Sequence, residues 1–216
     1  MQTAKGKILV FTRAPIPGQT KTRLIPALGK EGAARLHAEL IHRTLQKCTA
    51  LGNVKTELWC APDIHHQFFV SCADTYDVTL HKQSGNDLGQ RMSNAFAESQ
   101  IQSPWVILVG TDCPNLTIND LKQATTILDN GADAVLGPAT DGGYVLIGLN
   151  RSAPGLFTDM PWGNDKIAEL TRGRLRDMGM RWFELPVRND IDRPDDLVHI
   201  NFNFEDRTER GQAWIR

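Results

Sequence analysis

The stretch Lys7-Ile8-Leu9-Val10-Phe11-Thr12-Arg13-Ala14-Pro15-Ile16-Pro17-Gly18-Gln19-Thr20-Lys21-Thr22-Arg23-Leu24, with the run 31–50 behind it, decides the fold class. Its first six residues are a short apolar run of the length of a buried strand. Two prolines and a glycine then stop regular structure. Beyond them Ala33, Leu36, Leu40, Ile41, Leu45 and Cys48 recur at three-or-four spacing, the apolar stripe of an amphipathic helix. Strand, loop and helix in that order open an α/β domain.

The alternation continues to the end of the chain. Further buried strands are expected at 56–61, 78–82, 105–110, 134–137, 144–149 and 181–186. Leu88, Met92, Ala95 and Phe96 mark a second helix. Thr117 with Asp120 resembles a capping box that opens a helix running through Leu128, with Gly131 just past its end. Asn164 is expected to open another that ends near Gly179. Only six residues, 138–143, separate two of the strands, too few for the crossover a parallel pair needs. That pair must be antiparallel or lie in different sheets, so a mixed sheet is expected. Neither a repeat nor a Pro-, Gly- or Ser-rich linker divides the chain, and one domain over 1–216 is expected.

Composition narrows the function classes. The 24 basic and 25 acidic side chains of the 216 residues leave no net field to favour nucleic acid or an anionic membrane. The apolar runs at 105–109 and 144–149 fall far short of the ~18 residues a membrane span requires. The polar start, Met1 to Lys7, lacks a secretory core, so a cytoplasmic protein is expected. The four cysteines form no C-x-x-C pair and the six histidines no H-E-x-x-H spacing, which argues against structural zinc. Cys48 and Cys60 read as small buried hydrophobes. Cys113 follows an aspartate at a strand end but has no histidine near it in sequence to make it a nucleophile. The charged tail from Phe202 onward carries Trp214 and Ile215, and is expected to dock on the body or on a second subunit, leaving a homodimer open.

Four segments could carry chemistry. The loop from Arg13 to Arg23 combines Pro17 and Gly18 with Arg13, Lys21 and Arg23. Proline fixes the backbone, glycine allows close approach and the cations supply charge-assisted donors, so a phosphate is the expected guest. Its place after the first strand of an α/β sheet agrees. It is not a P-loop, because Thr20 stands where that motif needs glycine. The second segment, Gly110-Thr111-Asp112-Cys113-Pro114, ends a strand in one carboxylate. Such a group suits Mg²⁺, which takes one or two protein oxygens and completes its shell with water and phosphate. A turn or helix-start aspartate is the bland reading. Asp190 and Asp192, one residue apart and projecting alike if extended, could join Asp112, although Asp192 could equally cap the last helix. Asp141-Gly142-Gly143 is either a plain turn or a backbone open to a sugar or acceptor. Gly85, Asp87 and Arg91 lie in a polar loop that opens a helix and could read a base, ribose or phosphate.

Taken in order, residues 11–24, 87–92, 110–114, 137–144 and 190–197 resemble the motifs of a bacterial family of GT-A-like nucleotide-diphospho-sugar transferases. Its members are described as glycosyltransferases and are linked in part to arsenosugar biosynthesis. More distantly, the chain is similar to the guanylyltransferases of molybdenum-cofactor and phospholactate metabolism. The resemblance spans nearly the whole chain. It implies a three-layer α/β/α sandwich with a mostly parallel, mixed sheet, a bound nucleotide, and Mg²⁺ or Mn²⁺ on Asp112. The chain has Asp112-Cys113-Pro114 in place of the Asp-x-Asp of many such enzymes, so Asp190 or Asp192 would supply the second ligand.

Two reactions follow. In glycosyl transfer from a nucleotide-diphosphate-sugar, the loop binds the diphosphate and Asp141 orients the sugar or a small-molecule acceptor. In nucleotidyl transfer from a nucleoside triphosphate to a phosphorylated small molecule, Arg13, Lys21 and Arg23 stabilise departing pyrophosphate. Asp112, Asp141 and Lys21 are the expected catalytic residues in both. A nucleotide-binding protein without catalysis is the third class, and it would have no use for the metal carboxylates.

Overall fold

The protein is described by a computed structural model over residues 6–200. The readings of residues 1–5 and of the tail from Phe202 lie outside the described residues. Seven strands form one sheet in the order β3-β2-β1-β4-β6-β5-β7. They are β1 (Lys7–Arg13), β2 (Lys55–Ala61), β3 (Thr79–Lys82), β4 (Val106–Gly110), β5 (Ala134–Pro138), β6 (Tyr144–Leu149) and β7 (Trp182–Glu184). All pairings are parallel except those of β6, which runs antiparallel to both β4 and β5. The short 138–143 connection produces this reversal, as expected. Among the described residues five α-helices cover the sheet: α1 (Ile25–Thr49), α2 (Gln67–Tyr76), α3 (Leu88–Gln100), α4 (Ile118–Asp129) and α5 (Ile167–Asp177).

Period-two alternation sorts the strand side chains into two cores. Ile8 and Val10 of β1 and Ile107 and Val109 of β4 face the layer of α1, α2 and α4. Leu9 and Phe11 of β1 and Val106 and Leu108 of β4 face α3 and α5. Both faces are apolar, which is why these strands read as unbroken hydrophobic runs. The result is the expected three-layer sandwich.

Helix ends follow local chemistry. Thr117 and Asp120 form a reciprocal capping box at the start of α4, and Asp87 caps α3 by accepting from Gln90 N at 2.8 Å. Three boundaries differ from expectation. α1 begins six residues before 31, and Gly29 interrupts it with φ 70, a left-handed turn that glycine takes without strain. α5 begins at Ile167 rather than Asn164, whose side chain instead accepts from Lys166 N at 2.9 Å. The expected strand at 181–186 shortens to three residues, because it pairs on one side only, with β5. α2 was not anticipated. It opens on His66 rather than Ser, Thr, Asp or Asn, and it buries only Phe68, Phe69 and Cys72.

A third, smaller cluster fixes the end of the described chain. Leu24, Ala33, Leu36 and Leu40 pack against Ile191 and Ile200, so α1 holds the segment after β7 against the top of β1 and β4. No helix of the described residues is long and apolar enough to cross a membrane.

Candidate functional site

Strand direction alone assembles the candidate residues. Since β1 to β5 and β7 run the same way and β6 the other, the ends of β1, β3, β4, β5 and β7 and the start of β6 share one sheet edge. All five motif segments leave the sheet at that edge, on both sides of the β1/β4 switch point where open α/β sheets bind ligands.

The cationic loop is pinned before any ligand arrives. Ala14 N donates to Ala61 O at 2.8 Å, Gln19 N to Ile16 O at 3.0 Å and Leu24 N to Lys21 O at 2.8 Å. Gly18 takes φ 78 and Lys21 φ 48. For a lysine the left-handed backbone costs about 1–2 kcal/mol and persists where other contacts enforce it. Those contacts are visible. The Lys21 ammonium lies 2.8 Å from Asp112 Oδ1 and donates to Ile191 O at 2.5 Å, and its side chain is only 4% exposed. Lys21, expected among the phosphate-binding cations, is in this arrangement a buried bridge between β4 and the segment after β7. Arg13 is exposed at the end of β1. Arg23 is exposed and pairs with Asp192.

Asp112 sits at the centre. Its backbone oxygen accepts from Ile191 N at 2.8 Å, while its side chain stays 49% exposed toward the open edge. The recess disfavours its charge, but the Lys21 ammonium outweighs that and holds the carboxyl below the usual carboxylate range. Ile191 acts as a clip, with its side chain in the α1 cluster and both backbone groups bonded, to Asp112 and to Lys21. Its neighbours part company. Asp192 is drawn to Arg23, so the structure does not bring it to Asp112 as a shared ligand, nor does its side chain cap a helix. Asp196 instead accepts from the backbone of Asp192 and Arg193. Asp190 faces inward, where burial first, then the charges of Asp141 and Asp112, push its carboxyl up to about 6. Asp141 is exposed, and its Oδ1 accepts from Gly143 N at 2.8 Å.

Further polar residues complete the site, and one of them, His37, was passed over by sequence reasoning. His37 of α1 is 6% exposed, and its Nε2 lies 3.0 Å from Arg13 O. A carbonyl only accepts, so Nε2 carries the proton and Nδ1, 3.9 Å from Asp112, is bare. Burial lowers its pKa and keeps it neutral. Thr12 and Thr111 Oγ1 atoms, 3.3 Å apart, join this polar seam. Gln83, also buried, donates to Thr12 O at 3.0 Å and Trp59 O at 2.8 Å, tying the ends of β1 and β2 to the loop that follows β3. That loop closes on itself through Arg91 Nε to Gly85 O at 3.1 Å. Gly85 has φ 142, and a Cβ there would meet Arg91 N at 2.8 Å. His37 sits four residues after Ala33 on the apolar stripe, and a polar residue in that register was the available signal.

Among the described residues no three His, Cys, Asp or Glu side chains gather closely enough to cage a metal by themselves. Asp112 and Asp190 still fit an ion that takes one or two protein carboxylates and shares the rest of its shell with water and phosphate. The mutual repulsion that raises Asp190 is what such an ion would relieve. A groove of about 520 Å³ beside this edge is lined by Lys47 and residues 114–119 and holds none of the candidate residues.

A family model described as "Uncharacterized protein conserved in bacteria (DUF2064)" matches residues 44–164, more than half of the chain. No curated protein matches it. Among solved structures, the chain is similar to a Desulfovibrio desulfuricans G20 protein proposed to be a nucleotide-diphospho-sugar transferase. The two share 28% identity and a TM-score of 0.82 over 98% of this chain and 94% of that one. It is also similar to the inositol-1-phosphate CTP transferase of T. maritima, at 14% identity and TM-score 0.58 over 91% and 93%. A Mycobacterium tuberculosis H37Rv protein in complex with manganese matches at 15% and TM-score 0.52 over 90% and 97%. The last two likenesses establish the fold alone.

Proposed function

The chain belongs to the bacterial family DUF2064, and we propose that it is a metal-dependent transferase acting on a nucleotide-activated substrate, by glycosyl transfer from a nucleotide-diphosphate-sugar. The observation that carries the reading is the gathering of Asp112, Asp190 and Asp141 at one sheet edge, beside a pinned loop that presents Arg13. The Desulfovibrio desulfuricans relative supports the substrate class.

In this reading Arg13 and the loop backbone hold the diphosphate. Gly85, Asp87 and Arg91 flank the nucleoside. Asp112 and Asp190 are the metal ligands. Bound there, Mg²⁺ or Mn²⁺ would act as a Lewis acid that neutralises the departing diphosphate. Lys21 positions Asp112 and the Asp190 segment rather than meeting phosphate in the resting arrangement, and Asp141 orients the sugar or the acceptor. The bond from the anomeric carbon to the diphosphate oxygen breaks as an acceptor hydroxyl bonds to that carbon, so that the nucleoside diphosphate departs and the hydroxyl's proton passes to solvent.

Nucleotidyl transfer is the second reading, supported by the fold shared with a CTP transferase and by the cationic loop. The products separate the two: nucleoside diphosphate in the first, pyrophosphate in the second. The first test is a thermal-shift panel of nucleoside triphosphates and nucleotide-sugars with and without Mg²⁺ or Mn²⁺. A ligand at 100 times its Kd adds about 2.7 kcal/mol of stability. A metal-dependent rise in Tm for one base is expected, and no rise for any member of the panel contradicts the proposal.

A further inference from the structure

Two glycines from different motifs are glycine for the same reason. A Cβ on Gly89, in the first turn of α3, would sit 2.4 Å from Phe157 O and 2.7 Å from Trp162 Nε1. A Cβ on Gly142, in the turn after β5, would sit 1.7 Å from Asp165 O, and Ala168 N donates to Gly142 O at 2.9 Å. The segment 157–166 thus runs from the loop of Gly85 and Arg91 to the turn of Asp141, touching both at backbone distance.

It is held rigidly for that purpose. Arg174 donates to the carbonyls of Gly155, Leu156, Thr158 and Asp159, at 3.1, 3.2, 2.5 and 3.3 Å. Phe157 stacks on Phe96 with ring centroids 5.6 Å apart. Trp162 packs on the α3/α5 core yet remains partly exposed, and its indole N–H makes no hydrogen bond among the described residues. A partly exposed aromatic side chain packed against its neighbours recognises a ring through the apolar face that the ring presents.

We propose that segment 157–166 walls a subsite for a neutral polyhydroxylated ring, the sugar of the nucleotide-sugar, with Trp162 as its specificity-determining residue. This rests on the transferase reading above and decides within it. The charges around the segment are mixed, with Asp141, Asp159 and Asp165 against Lys166, Arg91 and the Arg174 that holds it, so the uncharged indole face, suited to an apolar ring face, is what points to a neutral ring. Asp141 and the exposed Asn164 offer acceptors for hydroxyls.

The test is calorimetric titration, in the presence of Mg²⁺, of the full chain with UDP, GDP, CDP, ADP and dTDP and with a nucleotide-sugar of each base. The wild type, Trp162→Leu and Trp162→Phe are compared, with melting curves confirming that each is folded. Truncating a central aromatic anchor costs upwards of about tenfold in affinity. Trp162→Leu is expected to weaken the nucleotide-sugar of the preferred base about tenfold while its diphosphate stays within about twofold, and Trp162→Phe is expected to restore part of the loss. Equal changes for both ligands, or no change for either, overturn the subsite while leaving nucleotide binding intact. Failure of every diphosphate to bind the wild type overturns the transferase reading and the subsite with it.

Discussion

Two lysine–carboxylate pairs stand at opposite ends of the same sheet, and they are buried in opposite senses. At the starts of the strands Lys7 meets Glu57 at 3.0 Å, and the carboxylate is the hidden partner, 2% exposed. Trp59 and Ser99 donate to Glu57 at 3.4 Å, and Lys55 and His81 stand 3.8 and 3.7 Å away. Both oxygens of that acid have a donor within hydrogen-bond distance. At the ends of the strands Lys21 meets Asp112 at 2.8 Å, but here the ammonium is hidden and the carboxylate opens to solvent. A carboxylate enclosed by donors can only hold a fold together, whereas one anchored from behind by a single cation keeps an oxygen for a ligand. Geometry this similar thus serves stability at one edge and, in the proposed reading, leaves the other free for chemistry.

Breaking the pairs should separate these roles. The largest effect on stability is expected for Glu57→Gln, which leaves Lys7 beside a neutral group. Removing one partner of a buried pair costs about 3–5 kcal/mol. Urea unfolding should show a loss near the lower end of that range, with nucleotide stabilisation of the remaining folded protein unchanged. Lys21→Met should cost less, about 1–3 kcal/mol, because Ile191 O loses its donor while Asp112 can turn to water. A loss under about 0.5 kcal/mol would mean that the bridge contributes nothing and that Lys21 is a loop cation after all.

Acid sharpens the contrast. Burial opposes the charge of Glu57, but its bonds to Lys7 prevail and lower its folded pKa. Its contribution is present above the ordinary glutamate value of about 4.3 and is lost as pH falls through the folded value. Burial lowers the pKa of His37, which stays neutral in the fold while the unfolded chain takes up a proton. The contribution of His37, and in the same sense that of His66, is therefore lost as pH drops below about 6.5, opposed below about 6 by Asp190, whose folded value is raised. His37→Asn is expected to flatten the limb just below pH 6.5 and leave the limb below about 4.3 intact. An unchanged upper limb would remove His37 from the explanation. The smallest effect belongs to Arg23→Ala, whose exposed pair with Asp192 should change unfolding stability by less than about 0.5 kcal/mol.

Much of this was legible in the sequence wherever the cause is local. The Thr117/Asp120 box reported the start of α4, and the six residues 138–143 reported the reversal of β6. The apolar runs reported the strands, because burial on both faces removes any polar alternation. What stayed hidden depends on partners far along the chain. Lys21 is buried by Asp112 and Ile191, and the latter lies 170 residues away. Arg23 is claimed by Asp192 across 169 residues. Asp190 and Asp192 share a spacing but not a partner, since Ile191 between them fixes the backbone and each side chain then answers to its nearest charges. His37 was masked by the stripe it sits in, and α2 by its unusual cap.

The claim that the open edge is the chemical one comes down to Asp112. The measurement is metal-dependent release of nucleoside diphosphate from the preferred nucleotide-sugar by the wild type and by Asp112→Asn, with circular dichroism confirming that both are folded. Asparagine keeps the shape and the backbone bond to Ile191, so a turn residue would tolerate it. A metal ligand would not, because a Lewis acid contributing several kcal/mol to the transition state is lost. Turnover lower by at least about a hundredfold in a folded variant is the predicted result. Wild-type turnover with unchanged Mg²⁺ or Mn²⁺ dependence would contradict it and return Asp112 to a structural role.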